Sequence, residues 1–176
     1  MEKEKLKAEM DEVQANAKTT VEGEGSVKFV ANTEKVLASE VVQTKEMKLN
    51  SDSQGMWVRV VASDFFKPGA VEPNPDLFPL IKKLGKLVST LEYPVQVIGH
   101  SFGDEDLKLS RFKNHWELSS ARAQWILNYW FESGLTSFFQ LTVIAAADVK
   151  PLADSETDPE WSANKNRRVE ILIPRN

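Results

Sequence analysis

Two stretches of this chain concentrate residue types that could grip an anion. The first is Asn114-His115-Trp116-Glu117-Leu118-Ser119-Ser120-Ala121-Arg122-Ala123, and the second is Asn166-Arg167-Arg168-Val169-Glu170-Ile171. The first reads as a polar loop running into a helix, with Ser119 as N-cap and Arg122 on the first turn. The second reads as a strand entered through a basic cluster. Arg122 and one of Arg167 or Arg168 would then meet beside a helix N-terminus, where forked guanidinium groups and unpaired backbone N–H groups suit a carboxylate ligand. On that placement Arg122 lies at the surface, and Arg122→Ala is expected to cost under about 0.5 kcal/mol of stability.

A different chemistry is suggested by Gly99-His100-Ser101-Phe102-Gly103, which has the Gly-x-Ser-x-Gly spacing of a nucleophile elbow and follows a strand. A serine hydrolase also needs a helix directly behind the serine, then an acid and a histidine further along. Only His115 follows, 14 residues on, and that spacing leaves no room for a crossover to deliver both partners. No enzymatic activity is expected. His100 and His115 lack a third ligand at suitable spacing, so no metal or other cofactor is expected either. His100 reads as a hydrogen-bonding loop residue.

These residues need elements to position them. Met56-Trp57-Val58-Arg59-Val60-Val61-Ala62 is a β-branched run that reads as a strand. After a loop at Phe65 to Ala70, Asn74 caps a helix with Pro75 at its first position. Leu77, Leu80, Ile81, Leu84, Leu87, Val88 and Leu91 then repeat at three and four residues, the pattern of a buried helical face. Pro94 opens a second strand over Val95 to Ile98. A second helix runs from about Ser119 to Ser133, burying Leu118, Ala121, Trp125, Ile126 and Tyr129, and stops at Gly134. Its aromatic residues exceed what one face can bury, so Trp130 or Phe131 is a candidate surface contact. Leu141 to Val149 and Arg167 to Pro174 supply the last strands, joined by an acidic, turn-rich loop. The order β-α-β-α-β-β gives an α+β sandwich, with helices packed on one face of a mixed sheet.

Ahead of this domain, assigned to residues 56–176, lie two further segments. Residues 1–20 place Leu6, Met10, Val13 and Ala17 on one stripe, which suits an amphipathic N-terminal helix or a coiled-coil seam. Residues 21–55 read as a linker holding a strand or short helix.

The pattern Asn-x-x-x-Leu-Ser-x-x-Arg-Ala, leading to Asn-Arg-Arg-Val-Glu-Ile, resembles the OmpA-like peptidoglycan-binding domain over roughly residues 56–176. The run from Asn114 to Ser119 is similar to the version in MotB-type flagellar stator proteins, Asn-x-Trp-Glu-Leu-Ser. The resemblance implies a periplasmic, non-enzymatic domain. It would anchor an ion-driven motor to peptidoglycan by gripping the diaminopimelate of the stem peptide, as a homodimer beside a MotA-like channel subunit. The family's binding positions carry over to Ser101, Phe102, Asn114, Leu118, Arg122 and Arg168. One of them departs from the pattern. The family reads Gly-His-Thr-Asp, whose Asp binds the ligand's ammonium, whereas Phe102 stands in the Asp position here. Asp104, Glu105 or Asp106 would have to replace that charge. Two readings follow: a wall-anchoring stator domain, or an OmpA-like protein-interaction module with a degenerate wall site.

Composition sets the remaining bounds. At 176 residues and 41% hydrophobic content, the chain suffices for one domain plus an appendage. Its net charge of −4 offers no footprint for nucleic acid, and the absence of cysteine rules out disulfides and thiolate metal sites. There is no apolar stretch of about 20 residues. MotB-like proteins carry an N-terminal transmembrane helix, so the chain is expected to be the extracytoplasmic part of a protein anchored in the inner membrane.

Overall fold

The alternation of Met56, Val58 and Val60 puts one side of a strand into the core, and that strand is the second of a five-stranded mixed sheet. The computed structural model describes residues 35, 47–60, 64–91, 93–135, 141–151 and 159–174, the last group by backbone alone over 159–162. Strands β1 (Met47–Ser51) and β2 (Gly55–Val60) form an antiparallel hairpin. Its turn is closed by Asp52, whose Oδ1 accepts from the backbone N–H groups of Gln54 (2.8 Å) and Gly55 (3.2 Å). β1 lies inside the stretch read as linker, so among the described residues the sheet begins at Met47 and not at residue 56. Its signal was faint because only Met47 and Leu49 alternate on the core side. The expected helix over residues 1–20 lies outside the described residues.

A 3₁₀ turn (Pro75–Leu77) and helix α1 (Phe78–Ser89) follow, with Asn74 capping as its sequence predicts. α1 buries Leu80, Ile81, Leu84, Leu87 and Val88. Next come β3 (Val95–Gly99), a short helix α2 (Gly103–Lys108), helix α3 (His115–Glu132) and β4 (Leu141–Ala145). Helix α4 (Pro159–Asn166) and strand β5 (Val169–Pro174) are the last described elements. The strand order is β1-β2-β5-β3-β4, with β3 and β4 parallel and the other pairs antiparallel. The α+β class and the helices on one sheet face are as expected. α2 and α4 are additions, each too short or too polar to declare itself by apolar periodicity.

The core fills the space between the sheet and the pair α1 and α3. Two glycines allow the close approach. A Cβ on Gly99 would lie 1.9 Å from the Ser119 carbonyl oxygen, where α3 crosses β3. One on Gly85 would lie 2.5 Å from the Trp130 ring, where α1 meets α3. Trp130 is therefore core, its Nε1 donating to the Ile81 carbonyl (2.8 Å), and of the two candidates Phe131 is the exposed one. α3 ends in a Schellman motif: Leu135 N–H donates to Trp130 O, Gly134 N–H donates to Phe131 O, and Gly134 takes φ +64°.

Candidate functional site

Helix α3 starts five residues earlier than a cap at Ser119 would set it, because the cap is Asn114. Asn114 Oδ1 accepts from Glu117 N–H (2.9 Å), while Glu117 Oε2 accepts from Lys113 N–H (3.1 Å), a reciprocal capping arrangement. Ser119 is interior to the helix. Its hydroxyl donates to the Trp116 carbonyl (3.2 Å) and accepts from Ala147 N–H (3.0 Å), pinning the turn after β4.

The earlier start moves Arg122 from the first turn to the second and turns it inward. Arg122 is 0% exposed. Its Nη1 and Nη2 each donate to one oxygen of Asp106 at 2.7 Å, a bidentate pair. Nε donates to Ala70 O (2.8 Å), Nη1 also to His100 O (3.1 Å), and Nη2 makes a looser 3.5 Å contact with Lys67 O. The Phe66 ring lies 4.6 Å from the guanidinium carbon. A guanidinium has five N–H donors, and each has an acceptor within the protein. Burial pulls Arg122 below the usual arginine range, and the Asp106 hydrogen bond opposes that shift. The expectation of a dispensable surface arginine is thus overturned.

Asp106 is matched equally well. It is 0% exposed, and beyond the two Arg122 bonds its oxygens accept from Gly69 N–H (2.7 Å) and Phe102 N–H (3.0 Å). Of the three acids named as stand-ins at the Phe102 position, Asp106 is the one that reaches Arg122. Asp104 and Glu105 remain exposed on α2. Phe102 is half-buried at the N-terminus of α2 with extended backbone.

The basic cluster divides across the sheet. Val169, Ile171 and Ile173 enter the core under the helices, so Arg168, Glu170 and Leu172 face the other side, where Leu172 packs with Ile98 and Ala146. Arg168 therefore does not converge with Arg122. The residue that neighbours Arg122 is Arg167, whose positive charge acts against it. On the far side Glu170 gathers Arg59 Nε (2.5 Å), Arg168 Nη2 (2.9 Å) and His100 Nε2 (2.8 Å, out of line for a well-formed hydrogen bond). Arg168 also donates to Lys150 O (3.1 Å). Burial alone would raise the Glu170 carboxyl. Its contacts with His100, Arg168 and Arg59 reverse that and hold it at about 2. Burial lowers His100 below its ordinary value, with the Glu170 contact working the other way.

The Gly-x-Ser-x-Gly segment does acquire both partners that its spacing denied it. Ser101 Oγ lies 2.8 Å from His115 Nδ1, and His115 Nε2 lies 3.6 Å from Asp148 Oδ2. The histidine arrives at the start of α3, and the acid on the turn that Ser119 pins after β4. The line lacks the rest of a hydrolase. Ser101 is 1% exposed, and its N–H is spent on Ala147 O (2.9 Å). The next N–H, which an elbow would offer to an oxyanion, is taken by Asp106. These contacts make the line a brace between the loop after β3, the start of α3 and the turn after β4.

Of the six positions carried over from the resemblance, Ser101, Leu118, Arg122 and Arg168 are buried, and Asn114 is committed to its cap. Sequence reasoning gave no role to Phe66, Gly69 and Ala70, which complete the surroundings of Arg122. Their only signal was position in the loop before α1.

Residues 65–167 match the OmpA family. The chain is 27% identical over 128 residues to the uncharacterized protein YtxE of Bacillus subtilis, spanning 73% of this chain and 52% of that protein, about half its length. Among solved structures, a putative MotB-like protein from Desulfovibrio vulgaris superposes with a TM-score of 0.67 at 24% identity, covering 87% of this chain and 93% of that one. The periplasmic domain of Helicobacter pylori MotB gives a TM-score of 0.60 at 25% identity, covering 70% of this chain and 85% of that one.

Proposed function

The chain belongs to the OmpA family, and from that premise we propose that it is the extracytoplasmic domain of a MotB-like stator protein that tethers an ion-driven motor to peptidoglycan. The observation that carries this reading is the cradle around Arg122. A forked guanidinium and the N–H groups of Gly69 and Phe102 converge on one carboxylate-sized position, at the place where the family resemblance puts the ligand's carboxylate. The likeness to the Helicobacter pylori MotB domain supports the stator assignment. On this reading the domain works in the periplasm as a homodimer, and a membrane helix outside this chain carries the contact with a MotA-like channel subunit.

A second reading is favoured by the occupant of the cradle, which is the chain's own Asp106. With Phe102 in place of the acid that would meet an ammonium, the same fold serves as an interaction module that docks on another envelope protein. Retention on purified sacculi separates the two. The wall reading expects the wild-type chain to be retained weakly, and Phe102→Asp, which restores a carboxylate beside the cradle, to be retained about tenfold or more better. If neither chain is retained, the wall reading falls and the interaction module stands. If the wild type is retained and free diaminopimelate competes it off, the interaction module falls.

A further inference from the structure

Helix α2 is held to the body of the protein in an unusual way. It is six residues long, and Asp106 is its one buried residue. Asp104, Glu105 and Lys108 are exposed, and its capping residue Leu109 is among the most exposed apolar side chains. A peripheral helix normally docks through an apolar stripe. Here the side-chain anchor is a carboxylate, inserted into four donors that would otherwise face a vacant anion position. Leu107 is half-buried, and Leu109 and Ser110 pass over Gly69 so closely that a Cβ there would lie 2.4 Å away. At the other end α2 is entered through Gly103 at φ +76°, with nothing within 4 Å of where a Cβ would be. That gives one free pivot and one fully buried side-chain anchor.

We propose that Asp106 is a tethered stand-in for an external carboxylate and that α2 is a latch. With Asp106 seated, the Arg122 cradle is closed. With α2 swung out about Gly103, the guanidinium and the Gly69 N–H are presented to a carboxylate from outside the chain. Arg122 keeps its bonds to Ala70 O and His100 O when α2 leaves, so the cradle is not dismantled by opening. Three surroundings favour an anion over an empty site: the buried charge of Arg122, the neighbouring charge of Arg167, and the Phe66 ring that holds the guanidinium plane. The inference concerns how the cradle of the proposed wall site is regulated. It rests on that reading only for the identity of the external carboxylate.

The test is chemical rescue. Asp106→Ala removes the tethered carboxylate while leaving the donors. Acetate and meso-diaminopimelate are titrated against chloride at matched ionic strength, and binding is followed by the Arg122 Nε–H resonance and by the melting temperature. The expected result is saturable binding of both probes to the variant, with a midpoint at least about tenfold lower than in the wild type, and a melting temperature that rises with either probe. A folded variant whose Arg122 resonance ignores both probes overturns the proposal, as does a wild type with the same midpoint as the variant. If the alanine variant does not fold without a probe, Asp106→Asn keeps the shape and removes the charge. An intermediate midpoint for it supports the latch, and a wild-type midpoint overturns it. Sacculi separate this inference from the wall reading. Acetate rescue with no retention of either chain on sacculi leaves the latch standing and removes the wall ligand. Retention of the wild type that Asp106→Ala does not increase removes the latch.

Discussion

The two faces of the sheet bury charge in opposite ways. Under the helices, Arg122 and Asp106 form a closed one-to-one pair in which each oxygen of the carboxylate accepts two bonds. On the other face, one carboxylate, Glu170, serves Arg59, Arg168 and His100, and among the described residues the Nε of Arg168 has no hydrogen-bond partner. The first arrangement has no slack, so losing either member strands a full charge in a dry site. The second is redundant on the cationic side and depends on a single anion. The paired site is therefore sensitive to substitution at both ends, and the shared site to protonation at one.

The largest effect should come from Arg122→Ala. It leaves Asp106 buried without its counter-ion, and removing one partner of a buried pair typically costs about 3–5 kcal/mol. Denaturant unfolding should show that loss, against the near-neutral outcome expected of a surface residue. A change under about 1 kcal/mol would mean that Asp106 leaves the site at little cost.

A smaller effect, with a pH signature, belongs to the other face. Glu170 and His100 both have folded-state values below their ordinary ones. Their stabilising contributions are complete above the ordinary values and are lost as pH falls through the folded ones. His100 begins to contribute to this loss below 6.5, and Glu170 loses its share between 4.5 and about 2. The Glu170 share is on the order of 3 kcal/mol. Melting temperatures should therefore decline steeply from pH 4.5 downward. In Glu170→Gln the protein should start about 2–3 kcal/mol less stable at pH 7, and the limb between 4.5 and 2 should flatten. An unchanged acid limb in that variant would assign the sensitivity elsewhere.

The smallest effect is the yardstick for both. Asn114→Ala removes the cap of α3 without touching either charge cluster, and it should cost about 1 kcal/mol. It should leave the acid limb in place. A loss as large as that of Arg122→Ala would show that the start of the helix, and not the ion pair, carries the sensitivity of the paired site.

Much of the architecture was legible because it rests on local rules. Asn74-Pro75 and Gly134 mark helix ends through backbone sterics and capping. The α1 stripe from Leu80 to Val88 repeats at helical spacing because a single face is buried, and the β2 and β5 runs are apolar because both enter the sheet. The motif from Asn114 to Ala123 and its basic counterpart likewise mark a family by spacing alone. β1, α2 and α4 escaped because what holds the first two is not periodic in sequence: β1 has two core residues, and the one buried residue of α2 is a carboxylate. For α4, the helix is short and polar throughout.

The candidate site divides along the same line. The sequence by itself placed Arg122 near a helix start and Arg167 and Arg168 at the entry to a strand, and the family resemblance set Phe102 against an acid. It could not say which of Asp104, Glu105 and Asp106 would answer Arg122, because that depends on how α2 lies against the loop at Gly69, 37 residues away from Asp106 in the chain. Nor could it say which arginine shares the face of Arg122. Successive strand residues alternate sides, so a shift of one residue in the entry to β5 would exchange Arg167 and Arg168. The pairing of β5 with β2 and β3 fixes that entry. Ser101, His115 and Asp148 meet for the same reason, brought together by the parallel pairing of β3 with β4 and by the Ser119 hydroxyl that holds the turn at Ala147. Side-chain chemistry is written locally. Whether a charge is exposed, paired or shared is decided by long-range packing, which sets the partners that burial then makes obligatory.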